Sequence, residues 1–244
     1  MKSPIAVAFL CIVFAPFGIF CLTWTLRFVM RGEYLSAVVA LGFAVFTLGL
    51  VAMLLSVASR KVAPRVTYDD GAVMVRPDKK VDGSLMASTV GAYVAMAVYA
   101  VFAPLAMLDV DVPSGNQRYF VFICAAGLFV GVLSLRQIIW RRGTSYLRLT
   151  VDGVETGNTM TSVKRPWEEI ADIADRAKKE DRPTGTTYIV GDDGRMRELP
   201  TDWYTPGGGD LREFLRFYWQ HPEHRSELTD GSAAARLRSQ ARGA

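Results

Sequence analysis

Histidine and cysteine are scarce in this chain, and long stretches of it carry no acidic residue. Two of the 244 residues are histidine, His221 and His224, and three are cysteine, Cys11, Cys21 and Cys124. The histidine spacing suits one helical face, but Pro222 lies between the two and no cysteine or third histidine accompanies them, which argues against a metal centre. All three cysteines fall in apolar stretches, and none has a partner at metal-ligand spacing. They read as small buried hydrophobes, with no disulfide framework. Gly207-Gly208-Gly209-Asp210 precedes a helical pattern, as a phosphate cradle does, but the Lys-Ser/Thr of a P-loop is missing and Asp210 would repel an anion. The carboxylates of Glu168, Glu169, Asp192 and Asp193 have no candidate nucleophile or base beside them. The sequence thus predicts no catalytic residue, no cofactor and no metal.

Four apolar runs are present instead, at residues 4–26, 35–56, 85–108 and 119–140. A hydrocarbon core of about 30 Å takes roughly 20 helical residues, so each run is long enough to span a bilayer. The first run follows Lys2 but exceeds the roughly 7–15 residues of a signal-peptide core and lacks a small-residue cleavage pattern, so it reads as a span. The spans hold no Asp, Glu, His or Lys in their central parts, and Arg136 lies near one end of the fourth. Ion-coupled transporters and proton pumps place ionisable groups along their path, so the pattern argues against them. Gly42, Gly49, Gly127 and Gly131 are candidate helix-contact positions, most simply within one chain.

The two halves of the membrane region look alike. Val13-Phe14-Ala15-Pro16 recurs as Val101-Phe102-Ala103-Pro104. Each pair of runs is followed by a strand-like segment with an Asp-Gly turn, Asp70-Gly71 in the first half and Asp152-Gly153 in the second. Asp-Gly between alternating segments is a strong hairpin signal. An internal duplication accounts for this order, and the expected hairpin over residues 62–76 has edges that need partners, which the C-terminal domain could supply.

Lysine and arginine collect on the cytoplasmic side of spans. The loop between the first two runs carries Arg27 and Arg31, and that between the last two only Arg118. The other side collects Lys2, Arg60, Lys61, Arg65, Arg76, Lys79, Lys80, Arg141, Arg142 and Arg148. The expectation is a multi-pass cell-membrane protein with both termini cytoplasmic. Its segments are a first hairpin of spans at 1–59, a short cytoplasmic β-hairpin at 60–84, a second hairpin of spans at 85–142, a domain at 143–228 and a disordered tail at 229–244.

Beyond residue 145 the hydrophobic period becomes two, which predicts a meander of short antiparallel strands. Asp210 with Glu213 three residues later suggests a capping box, and Leu211, Phe214, Leu215 and Tyr218 form one apolar stripe of a closing helix that Pro222 ends. The fold class is therefore four α-helical spans in two hairpins plus a mainly antiparallel β domain with a C-terminal helix.

The residues Tyr146-Leu147-Arg148-Leu149-Thr150-Val151-Asp152-Gly153-Val154, the turn Pro166-Trp167-Glu168-Glu169-Ile170, and the ending from Tyr218 to Leu228 together resemble the bacterial membrane proteins, common in actinobacteria, that carry a pleckstrin-homology (PH)-like domain. The resemblance covers about the last 90 residues. It implies a fold and a location, and assigns no activity.

A basic cluster bears on partners. Arg141 and Arg142 leave the fourth span at headgroup level, and Lys164 and Arg165 join them in the domain, with Arg176, Lys178, Lys179 and Arg182 further on. Each cation near an anionic leaflet contributes about 1 kcal/mol, so Arg141, Arg142, Lys164 and Arg165 are candidate contacts for anionic lipid headgroups. The cluster reads equally as a solvated face alternating with Glu180 and Asp181. A net charge of +4 gives no reason to expect nucleic acid. The expected function is non-enzymatic: a bilayer protein presenting a PH-like domain to a lipid or to a membrane or cytoplasmic protein. The alternatives are a small transporter or channel subunit acting as an oligomer, and a membrane-embedded enzyme.

Overall fold

The computed structural model describes residues 4–109, 114–141, 143–158, 161–176 and 185–243. The chain forms two compact units, a helical one of Ala8–Leu54 with Gly83–Arg142 and a sheet one of Leu55–Asp82 with Gly143–Ala244, to which Met1–Val7 also belongs.

Helices α1 (Pro4–Met30), α2 (Tyr34–Ala58), α3 (Lys79–Phe102) and α4 (Ser114–Arg141) build the helical unit, and the first turns of α1 and α3 and the last turn of α2 belong to the sheet unit. All four are long and apolar enough to cross a membrane. Their outer surfaces are apolar too: Ile12 is 70% exposed, Phe122 74% and Phe129 73%. Exposed apolar surface on this scale marks a face that meets a membrane or another protein. Pro16 lies inside α1, whereas its sequence counterpart Pro104 lies beyond the end of α3. Proline disfavours the helical conformation of the residue before it, so α3 stops at Phe102 rather than at the expected residue 108. At its other end α3 starts six residues before the apolar run, because Asp78 caps it: Lys80 N–H donates to Asp78 Oδ1 (2.7 Å).

Glycines set the helix spacing. A Cβ on Gly42 of α2 would stand 2.6 Å from Gly91 O of α3, and one on Gly131 of α4 would stand 2.4 Å from the Tyr93 ring of α3. The small residues thus serve contacts within this chain.

The sheet unit has two antiparallel sheets. Strands β1 (Arg65–Asp69), β2 (Ala72–Arg76), β3 (Tyr146–Leu149), β4 (Gly153–Gly157) and β5 (Ser162–Pro166) are ordered β1-β2-β3-β4-β5, and β6 (Ile170–Ala174), β7 (Thr187–Gly191) and β8 (Met196–Leu199) form the second sheet. The hairpin between the helix pairs is thus an integral part of the first sheet, with Val73, Met74 and Val75 opposite Leu149, Arg148 and Leu147. The two Asp-Gly turns differ. Asp70 and Gly71 both have positive φ, 48° and 67°, as a tight two-residue hairpin requires. Gly153 has no such φ; a Cβ there would meet Arg165 O of β5 at 2.3 Å, so close strand approach is what calls for glycine.

Helix α5 (Gly209–Gln220) buries Leu211, Phe214, Leu215 and Tyr218, the stripe read from the sequence. They join Leu147, Leu149, Val75, Trp167, Ile173 and Leu199 in one core. The expected capping box is not formed. The residue before α5 is Gly208 at φ 76°, with no side-chain cap, and Asp210 lies inside the first turn. At the other end Arg225 closes the helix, its Nε donating to Tyr218 O (3.0 Å) and its guanidinium lying over the Trp167 ring (5.1 Å).

The boundaries expected at 143–228 and 229–244 need correction. The tail is helical, as α6 (Glu227–Asp230) and α7 (Ser232–Gly243), and Leu228, Ala233, Ala234 and Leu237 are buried in the core. Its composition is polar, but its few apolar residues recur at helical spacing and cover the β1 edge. Arg238 Nη2 donates to Val66 O (2.6 Å), and the Tyr68 hydroxyl donates to Thr229 O. A strand edge that would otherwise be bare is thereby closed.

Candidate functional site

The residues predicted to contact anionic lipid do not form one described patch. Arg142 lies outside the described residues, as does the side chain of Arg141, and so do Lys178, Lys179 and Arg182. Lys164 and Arg165 are consecutive on β5, so they point to opposite faces of the sheet. Lys164 is exposed, in register with Glu155. Arg165 is 12% exposed at its side chain and pairs with Asp193 at 3.1 Å. The Arg195 amide and the Arg165 guanidinium hold the Asp193 carboxyl below its ordinary range. Arg165 is therefore engaged inside the domain, and Lys164 alone of the four is described as a free-standing surface cation.

Several buried polar groups of the sheet unit hold its elements together. Asp82, in the first turn of α3, accepts from Thr144 N–H (2.9 Å) and Thr144 Oγ1 (2.6 Å) and from Arg65 Nη2. Arg65 Nε donates in turn to Pro77 O (2.9 Å). Tyr204, fully buried, shares a 2.7 Å hydrogen bond with Ser145 Oγ, and burial drives its hydroxyl pKa up. Around the histidines the contacts are also structural. His221 stacks on Phe217 at 4.8 Å, while His224, Tyr218 and Arg236 all converge on Glu227, at 3.1, 3.0 and 2.7 Å. Among the described residues no three His, Cys, Asp or Glu side chains are grouped to hold a metal ion.

The helical unit holds a cavity of about 480 Å³. Phe20, Cys21, Trp24 and Phe28 contribute one wall from the end of α1, and Val39, Ala40 and Phe43 a second from the start of α2. Tyr99 of α3 and Phe120 and Cys124 of α4 complete it. Phe20, Trp24 and Phe28 recur every four residues, which puts their rings on one face of α1, with centroids 6.2 and 5.4 Å apart.

Polar groups gather at one end, on the connections between paired helices and the adjoining turns of α1 and α2. Arg31 stands 3.6 Å from Asp109, and Ser36 Oγ accepts the Asp109 N–H at 2.9 Å. Glu33 lies beside them with Oε2 shielded from solvent. Burial, and then the neighbouring Asp109, push the Glu33 carboxyl pKa upward against the pull of Arg31. Arg27 lies over the Trp24 ring at 5.3 Å. None of these residues was singled out by sequence reasoning as a site. The signal available was the aromatic repeat on α1, which also reads as a plain helix face.

No protein-family model, curated protein or solved structure matches this chain.

Proposed function

We propose that this chain is a multi-pass integral protein of the cell membrane that presents a PH-like domain on the cytoplasmic side to a lipid or protein partner, without catalysing a reaction. The observation that carries the reading is the pairing of β2 with β3. One sheet is made from a hairpin that follows the first apolar helix pair and strands that follow the second. The α3–α4 pair must therefore return the chain to the side it left, which two helical crossings accomplish. The excess of Lys and Arg on that same side makes it cytoplasmic. Arg31, one of the cations that depart from this bias, faces Asp109. Two antiparallel sheets closed by a helix agree with the PH-like resemblance, and the exposed surface around Lys164 on β5 is where a partner has access.

The test uses the full chain in native membranes. Alkaline carbonate should leave it in the pellet. After removal of the native cysteines, a single cysteine at Asn116 should react with an impermeant reagent from outside, and one at Thr186 should not. A photo-crosslinker in place of Lys164 should then give a discrete lipid or protein adduct. Extraction by carbonate or reversed labelling would overturn the architecture. Solute flux in proteoliposomes with no adduct would favour the transporter or channel reading instead.

A further inference from the structure

We infer that the cavity of the helical unit is a binding site for a single hydrocarbon chain ending in a carboxyl oxygen, supplied by a free long-chain acid or by the acyl ester of a bilayer lipid. The inference depends on the helices lying in a bilayer only for the supply of ligand, and not on any role of the sheet domain. Its volume of about 480 Å³ falls within the range of ligand pockets, roughly 300–1,000 Å³. The walls are aromatic and aliphatic over most of their area. The site is open on one side, with its lining Phe20 56% exposed, and a hydrocarbon laid against these walls supplies dispersion contacts that the open face lacks.

Polarity at one end only selects an amphiphile with one head. That end offers the guanidinium of Arg31, at a distance from Asp109 that makes an ion pair but is too long for a good hydrogen bond. It also offers the Ser36 hydroxyl, whose oxygen already accepts the Asp109 N–H, so its proton is left to donate. A guanidinium fork matches two carboxyl oxygens, and the Ser36 hydroxyl adds a donor at the same end. With Arg27 and Arg31 set against Asp109 and Glu33 the formal charges at this end cancel, which disfavours a multiply charged head such as a phosphate monoester. Cys21 and Cys124 line the cavity walls.

Native mass spectrometry of the full-length protein, delipidated in mild detergent and titrated with oleic acid or dioleoyl phosphatidylcholine, tests this. One saturable one-to-one adduct is expected, and its mass tells the free acid from the ester. Ala40→Phe, which fills the cavity, should lower occupancy at least about tenfold. Arg31→Gln, at an exposed position, should raise the Kd of the acid by about tenfold and leave that of the ester unchanged, a shift of about 1.4 kcal/mol. Independently of any variant, bound ligand should slow alkylation of Cys21 and Cys124 by a membrane-permeant maleimide and leave Cys11, which does not line the cavity, unprotected. The inference fails if only detergent adducts form, if Ala40→Phe binds like the parent chain, or if the three cysteines react alike with and without ligand.

Discussion

Asp82 and Thr144 are 62 residues apart in sequence and joined twice, amide and hydroxyl of the threonine both donating to one carboxylate oxygen. The other oxygen takes Arg65. The three residues fasten the start of α3, the β1 strand and the approach to β3 to one another. Hydrogen bonds to a charged group contribute about 1.5–3 kcal/mol each, and removing one member of a buried pair strands its partner. Asp82→Ala should therefore lower stability by about 3 kcal/mol. Thr144→Val, which keeps the amide donor and loses only the hydroxyl, should cost about 1 kcal/mol. Thermal unfolding of the full chain, followed by the fluorescence of buried Trp167, measures both. Equal effects would mean that the hydroxyl alone makes the joint.

The span 143–228 should not fold by itself. It lacks β2, whose Val73 and Val75 are fully buried, and α7, whose Leu237 is fully buried. Leu147 and Leu149 would face water on one strand edge, an aggregation-prone arrangement. A chain in which residues 60–82 are joined by a flexible linker to 143–243 should give dispersed amide resonances and cooperative melting, whereas 143–228 should aggregate or bind a hydrophobic dye. Cooperative melting of the shorter fragment would show that the hairpin is an accessory strand pair.

Much of this architecture is legible in the sequence because its signals are local. Twenty apolar residues in a row, Asp-Gly between alternating segments, and the i, i+3, i+4, i+7 stripe of α5 each report on a single element. What was not legible depends on partners distant in sequence. The tail from residue 229 is polar in composition, and Leu228 and Leu237 acquire meaning only once the β1 edge is there to receive them. Asp210 matches a capping pattern, but Gly207 and Gly208, both at positive φ, bring the chain into α5 by a different path. The cavity was hidden for the same reason: Phe20, Ser36, Tyr99 and Cys124 come from four helices, and no spacing along the chain connects them.

Asp210 gives a pH dependence whose sign can be worked out. Its Oδ2 is buried without a hydrogen-bond partner, and burial, followed by the nearby Glu213, raises its pKa from the ordinary 3.8. The folded chain then keeps this proton to higher pH than the unfolded chain does. Between the two values the folded state binds more protons, so its stability falls as pH rises through that interval and stays lower above it. Asp210→Asn removes the penalty while keeping the shape of the side chain. Its melting temperature should exceed that of the parent chain at pH 7, and the gain should shrink as pH falls toward 3.8. A gain independent of pH would point to altered helix packing, and a loss at pH 7 to a favourable interaction of the charge with the start of α5.

The closing helix supplies the sharpest test of the sheet unit. Phe214 is 1% exposed and meets the Tyr218 ring edge to face at 5.0 Å. Truncating such a residue to alanine removes its transfer free energy and leaves a cavity, at a cost of about 3–5 kcal/mol. Domain stabilities run to about 5–15 kcal/mol, so Phe214→Ala should unfold the unit or lower its melting temperature severely. Arg212, on the flank of the stripe, is not an inert control. It is half-buried, and its Nε donates to Thr187 Oγ1 of β7 at 3.2 Å. Arg212→Ala should cost about 1 kcal/mol. Gln220, exposed at the end of α5, is the proper reference, and Gln220→Ala should stay within about 0.5 kcal/mol of the parent chain. The expected order is Phe214, then Arg212, then Gln220, read from thermal unfolding of the full chain. If Phe214→Ala and Gln220→Ala behaved alike, α5 would not be packed on the sheets through this stripe, and the PH-like reading would lose the element that closes it.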